Sequence, residues 1–258
     1  MRLSRCRYSA VMLTLVLTRH GSTPRSDPEQ HLGQRLDLPL SGAGRAAARA
    51  LGERLAGVHF DRVVSSPLAR GRETAALVVP GVDFEIDSRL AEMDYGRWEG
   101  LTYAQIDALD AAARRRWEED PAGLACPGGE SGDQIAARVR SLLVDLLDWA
   151  DGSGGGGTSA SGDGSLPAPG DGEMPASGGP ASPVGVGPRV LLVAHSTTNR
   201  VLLAVALGVP VRDYRRHFVQ APANLTVLRF PGSLDEGARL LVGNDVSHIR
   251  GSRGDTWE

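Results

Sequence analysis

The sequence predicts an α/β protein, a three-layer α/β/α sandwich with a mostly parallel sheet. Short apolar runs of the buried-strand type recur along the chain. Segments with a 3.6-residue apolar period separate them, and the two kinds alternate, as in a parallel sheet covered by helices on both faces. A chain of 258 residues with 41% apolar and 23% charged residues can bury the core such a fold needs.

Residues 13–18, Leu-Thr-Leu-Val-Leu-Thr, read as the first strand. Arg2, Arg5 and Arg7 ahead of an apolar run imitate a secretory leader. The run is only about seven residues long, against the ~20 that span a bilayer. It passes straight into Thr18-Arg19-His20-Gly21 with no small-residue cleavage site, so a buried strand is the reading. Met12 lies just before it, and residues 1–11 read as a tail upstream of the natural start.

Residues 41–55 form an Ala-rich helix, 61–65 a strand, 69–79 a helix, 84–86 a short extended piece and 102–118 a helix. Residues 131–150 carry the stripe Ile135, Val139, Leu142, Leu143, Leu146 and Trp149 behind Ser131, a candidate N-cap. Residues 190–194 form a strand, and 198–207 a helix stopped by Gly208 and Pro210. Residues 225–230 and 239–242 are late strands that pair as a hairpin. There is no internal repeat.

Residues 151–188 hold 13 Gly, 6 Pro and 6 Ser with no apolar periodicity, and such a stretch predicts a disordered loop. It lies between a helix and a strand, so it is an insertion in one sheet rather than a linker between domains. Loop closure costs little more as such a loop lengthens. The expected organisation is a single domain over 12–250 interrupted by this loop, with tails at 1–11 and 251–258. The loop carries four acids and no Arg, so the net charge of −3 becomes +1 without it.

All 28 basic residues are Arg, which excludes chemistry that needs a lysine, from a phosphate-loop motif to a Schiff base. An arginine must therefore be judged by position. The near-neutral charge gives no reason to expect nucleic acid or a membrane as partner. Cys6 and Cys126 lack metal-ligand spacing and make no disulfide framework, so a reducing, cytoplasmic setting is expected.

Ligands of open α/β sheets bind at the carboxyl ends of the strands. The first strand runs into Arg19-His20-Gly21, the 190–194 strand into His195, and the 61–65 strand through Ser66-Pro67 to Arg70. Two histidines and two arginines thus meet at one sheet edge. No thiol beside a base, nucleophile elbow or metal-spaced cluster competes with them. Imidazole is a nucleophile in its own right, guanidinium groups neutralise phosphoryl oxygens, and a carboxylic acid can protonate a leaving oxygen.

Arg19-His20-Gly21, the run Ser65-Ser66-Pro67-Leu68-Ala69-Arg70 leading to Glu73-Thr74-Ala75, and Val193-Ala194-His195 together resemble the histidine phosphatase superfamily, the phosphoglycerate mutase-like clan with the RHG signature. Asp37-Leu38-Pro39-Leu40-Ser41 with Gly44, Leu90-Ala91-Glu92-Met93-Asp94-Tyr95-Gly96 and Gly128-Gly129-Glu130-Ser131 match its intervening stretches. The resemblance covers about 12–150 and 189–250. It implies the phosphoglycerate mutase-like fold, no metal and no cofactor. It implies His20 as the nucleophile, Arg19, Arg70 and His195 as phosphate contacts, and Glu92 as the acid for the leaving alcohol. Glu92 must hold a proton when the reaction starts, and His20 must keep one ring nitrogen bare while a backbone acceptor holds the other N–H.

Thr23 is a further candidate for substrate contact, with turn stabilisation as its alternative. Glu130 reads as a cap for the helix opening at Ser131, and His248 as structural. The Asn that many members carry soon after RHG is absent, and Gln30 or His31 could replace it. The compact length and the Gly129-Glu130-Ser131 turn favour hydrolysis of a small phosphomonoester over mutase-type transfer to a second hydroxyl. An idle phospho-ligand binder would have lost His20 or Glu92. The residues that select the substrate are expected within 93–130. Oligomeric state is not legible.

Overall fold

The computed structural model describes residues 12–27, 29–154 and 187–249. Six strands alternate with the helices in the expected order. They are β1 (Leu13–Arg19), β2 (Arg62–Ser65), β3 (Glu85–Ile86), β4 (Arg189–Ala194), β5 (Leu225–Phe230) and β6 (Arg239–Asp245). The helices are α1 (Gly42–Arg54), α2 (Ala69–Val78), α3 (Tyr103–Glu119), α4 (Gly132–Gly154), α5 (Ser196–Leu207) and the short α6 (Tyr214–His217). One sheet has the order β3-β2-β4-β1-β5-β6. β3, β2, β4 and β1 run parallel, and β5 reverses against β1 and pairs with β6 as the predicted hairpin.

The period of two along the strands builds the three layers. Leu13, Leu15 and Leu17 of β1, with Val190 and Leu192 of β4, share a core with Ile135, Val139, Leu142 and Leu143 of α4 and Val201 to Ala206 of α5. Val16, Leu191 and Val193 point the other way, onto Ala48 and Leu51 of α1 and Ala75 and Val78 of α2. With both faces covered, the ligand-accessible part of the sheet is an end.

Local chemistry sets the helix starts. Ser41 caps α1 by accepting from the Gly44 N–H at 3.0 Å. Thr102 opens α3 with a capping box to Gln105. Ser131 caps α4, accepting from the Gln134 N–H while the Gln134 side chain accepts from its own N–H at 2.8 Å. Gly208 ends α5 in the left-handed region at φ 68°.

Three boundaries differ from expectation by more than one residue. α5 begins at Ser196, which places His195 itself at the N-cap. β6 extends to Asp245. α4 continues to Gly154, so 151–154 belong to the helix rather than the loop, and Gly187 and Pro188 already lead into β4. The rest of the predicted loop, 155–186, and both predicted tails, 1–11 and 251–258, lie outside the described residues.

Candidate active site

β1 and β4 are adjacent and parallel, in register Arg19 to Ala194, so Arg19-His20 and His195 emerge side by side from their carboxyl ends. The His20 N–H closes the join by donating to the Ala194 carbonyl at 2.9 Å. The two imidazoles lie 5.0 Å apart between centroids, tilted by 55°. β2 ends beside them and leads through Ser66 into α2, which carries Arg70.

His20 has the geometry required of a nucleophile. Its Nδ1 lies 2.7 Å from the Gly21 carbonyl, an acceptor only, so Nδ1 holds the hydrogen and Nε2 is bare when the ring is neutral. Burial, followed by the charges of Arg19 and Arg70, holds its pKa well below the ordinary histidine value. His195 is fully buried, and burial, then Arg70 and His20, lowers its pKa in the same way. Its Nε2 meets the Ser66 hydroxyl at 2.7 Å.

The turn after His20 depends on close backbone approach. The Gly21 N–H donates to Thr74 of α2 at 3.1 Å. Gly44 packs directly on it, and a Cβ at Gly44 would lie 2.0 Å from the Ser22 carbonyl oxygen. The Gly in the Leu40-Ser41-x-x-Gly44 run therefore seats the RHG turn against α1.

Arg70 is completely buried. Its Nη2 donates to the carbonyls of Gly33 at 2.7 Å and Leu32 at 3.2 Å, and its Nη1 to Leu36 at 3.3 Å. Arg19 donates from Nη1 to the Gln220 carbonyl at 2.9 Å, and its Nη2 lies 3.6 Å from Glu29. The Nε of each arginine and Nδ1 of His195 are buried with no protein partner. Both arginines and His195 are close enough to His20 to act on one another's charge. Three hydrogen-bonding atoms are thus left over around one imidazole.

Glu92 is buried against the first turn of α5. Its carboxylate accepts from the N–H groups of Met93 (2.8 Å), Thr197 (3.2 Å) and Thr198 (3.2 Å). Glu92 lines the same cleft as His20 and Arg19.

Other expectations fare differently. Thr23 does not line the cleft. Its hydroxyl faces Ser26 at 3.3 Å and accepts from the Arg25 N–H, the turn-stabilising alternative. Glu130 does not cap α4; it binds the Arg138 guanidinium and accepts from Gln34 and the Asp94 N–H. His31 is buried edge-on between Tyr95 and Tyr103, with Nδ1 on the Leu101 carbonyl. Gln30 does line the cleft. His248 holds the Ala223 carbonyl at 2.9 Å, a structural contact. Cys126 is a buried free thiol pushed up to about 12 by burial.

The cleft walls also contain residues the sequence did not single out: Arg25 and Glu29, Tyr103 of α3, Arg200 of α5 and Arg215 of α6. The cleft lining is therefore not confined to 93–130. Arg200 stands four residues after Ser196, and because α5 begins at Ser196 rather than 198 both share one helix face toward the cleft. Nothing marked Arg215.

Fold and site define the class: a phosphoglycerate mutase-like α/β/α sandwich with a histidine pair at the carboxyl ends of its central parallel strands, His20 lining the cleft and His195 buried behind it. The chain belongs to the histidine phosphatase superfamily (branch 1), whose family model matches residues 15–154. It is 42% identical over 135 residues to glucosyl-3-phosphoglycerate phosphatase of Mycobacterium tuberculosis, an alignment spanning 52% of this chain and 60% of that protein. It thus spans less than two thirds of that relative. It is 33% identical over 247 residues to "Probable phosphoglycerate mutase GpmB" of Salmonella choleraesuis, covering 92% of this chain and 95% of the relative. The solved structure of a mycobacterial glucosyl-3-phosphoglycerate phosphatase superposes with a TM-score of 0.69 at 32% identity, covering 90% of this chain and 99% of that one.

Proposed function

We propose that the protein is a phosphomonoester hydrolase that works through a phosphohistidine on His20. The observation that carries this is the His20 ring, with Nδ1 2.7 Å from the Gly21 carbonyl and Nε2 free, beside Arg19, Arg70 and His195, each with one buried hydrogen-bonding atom that has no protein partner. In the first step Nε2 bonds to phosphorus as the ester P–O bond breaks, and Glu92 gives its proton to the departing alkoxide. In the second, Glu92 takes a proton from water, whose oxygen bonds to phosphorus as the P–N bond breaks. Inorganic phosphate leaves and His20 is restored. Arg19, Arg70 and His195 hold the equatorial oxygens in both steps.

The substrate read here is a phosphorylated sugar acid of the type named by the mycobacterial relatives. Arg25, Arg200 and Arg215 add positive charge to the cleft beyond Arg19, against the acids Glu29 and Glu92 on its walls. The Arg200 Nε is buried without a partner. That surplus suits a second anionic group, such as a carboxylate, next to the ester.

The reading places the protein in the cytoplasm and requires neither metal nor cofactor. No helix among the described residues is long and apolar enough to cross a membrane. The mutase reading draws on the Salmonella relative. A panel of phosphomonoesters including glucosyl-3-phosphoglycerate, assayed for phosphate release and for phosphoglycerate isomerisation, separates the two. Phosphate release unaffected by EDTA and abolished in His20→Ala supports the hydrolase; isomerisation without net release overturns it.

A further inference from the structure

We propose that Ser66 fixes the position of the proton on His195, so that the imidazole presents an N–H, and not a lone pair, to the transferring phosphoryl group. The Ser66 hydroxyl is wholly buried. It has one hydrogen and two acceptor positions. The Leu68 N–H occupies one acceptor position at 3.3 Å, and Nε2 of His195 is the remaining partner, at 2.7 Å. Among the described residues the hydroxyl makes no other hydrogen bond.

Two proton arrangements fit that distance, and only one pairs the Ser66 hydroxyl in full. If Nε2–H donated to Ser66, the serine hydrogen would be left in a buried site with no acceptor, which costs free energy. If Ser66 O–H donates to Nε2, the Leu68 N–H, the hydroxyl and Nε2 are all paired. The ring is neutral, since burial and Arg70 hold its pKa well below the ordinary value, so its single proton then lies on Nδ1. Nδ1 is the buried atom for which the protein supplies no partner. A phosphoryl oxygen supplies the acceptor.

The two neighbouring histidines are then held in the same Nδ1–H form for opposite ends. His20 is fixed by the Gly21 carbonyl and uses its bare Nε2. His195 is fixed by the Ser66 hydroxyl and uses its Nδ1–H. Ser66 also accepts from the N-cap residue of α2, the helix that carries Arg70, so one hydroxyl ties the orientation of that helix to the proton on His195. Ser66 is a positioning residue, since it acts through His195.

This inference rests on the phosphatase reading for its consequence, and the test separates the two. Two-bond proton–nitrogen NMR correlation on the full chain with 15N-labelled histidine, with His195→Asn identifying the signals, reads the tautomer directly. The expected result is an Nδ1–H, bare-Nε2 pattern for His195. An Nε2–H pattern in the wild-type protein overturns the proposal, whatever the enzyme hydrolyses. Ser66→Ala is expected to shift His195 toward Nε2–H and to lower kcat by roughly 10- to 100-fold, the weight of a hydrogen bond to a charged group, with little change in KM. Ser66→Thr, which keeps the donor, is expected to restore the Nδ1–H pattern. An unchanged tautomer in a folded Ser66→Ala variant also overturns it. If no phosphomonoester is turned over but the Nδ1–H form is found, the phosphatase reading fails and the assignment of the proton stands.

Discussion

The imidazoles of His20 and His195 lie 5.0 Å apart in a site where neither can carry a charge cheaply, because both are buried beside Arg19 and Arg70. A pair of histidines under two guanidinium groups is a strongly electropositive floor. It stays neutral at the rings only by excluding protons, and this has a cost measurable in stability.

Both rings have pKa values below the unfolded value of about 6.5, so below that pH the unfolded chain binds protons that the folded chain does not. Stability from this source is therefore complete above about pH 6.5 and is lost as pH falls. Each histidine adds a slope of up to about 1.4 kcal/mol per pH unit. Denaturant midpoints measured from pH 7.5 to 5 should fall steadily in wild type and less steeply in His195→Asn. Parallel profiles would show that the His195 ring is not held neutral.

Arg70 joins α2 to the 32–36 segment through three backbone carbonyls. Arg70→Ala should cost about 2–4 kcal/mol, since buried carbonyls lose their donors, and should also remove turnover. Arg70→Lys should recover little of either, because one ammonium cannot span the carbonyls and still present a donor to the site. Chemical denaturation alongside phosphate release measures both.

Gly44→Ala should destabilise the protein by at least about 2 kcal/mol or displace the RHG turn, because its Cβ would meet backbone 2.0 Å away. Gly42→Ala, two residues earlier with nothing within 4 Å, is the matched control and should be neutral or slightly stabilising. Thermal melts of the two variants decide this.

Arg200→Ala should raise KM for a phosphorylated sugar acid roughly tenfold, and by a clearly smaller factor for an aryl phosphate that lacks a second anion. Equal effects on the two substrates would assign Arg200 to the phosphoryl group instead.

The fold was legible because two periods, two along the strands and 3.6 along the helices, were cleanly separated. β1 alternates Leu13, Leu15 and Leu17 on one face with Val16 on the other, as its spacing implies. The meeting of Arg19, His20 and His195 was legible because they sit where strands end. Arg200 and Arg215 were not, since in a chain whose only cation is arginine a cleft guanidinium looks like any surface one. Glu130 was misread for a different reason. Its place before α4 suggested a cap, but an arginine two turns along the helix, Arg138, took the carboxylate. Ser66 looked like part of a turn, and only its distance to His195 shows what its hydroxyl does.

The long Gly/Pro/Ser segment leaves the described structure after Gly154 of α4 and rejoins it at Gly187 ahead of β4. Both points lie at the amino ends of the parallel strands: Trp149 of α4 stacks under Arg62 at the start of β2, and the Pro188 carbonyl accepts from Thr14 at the start of β1. His20 and His195 emerge from the opposite ends. The described fold thus has two poles, one where His20 and His195 emerge and one where residues 155–186 are joined to it. For a protein engineer that second pole is a natural port: a reporter, tether or affinity handle grafted between 155 and 186 is anchored a full strand length away from the chemistry.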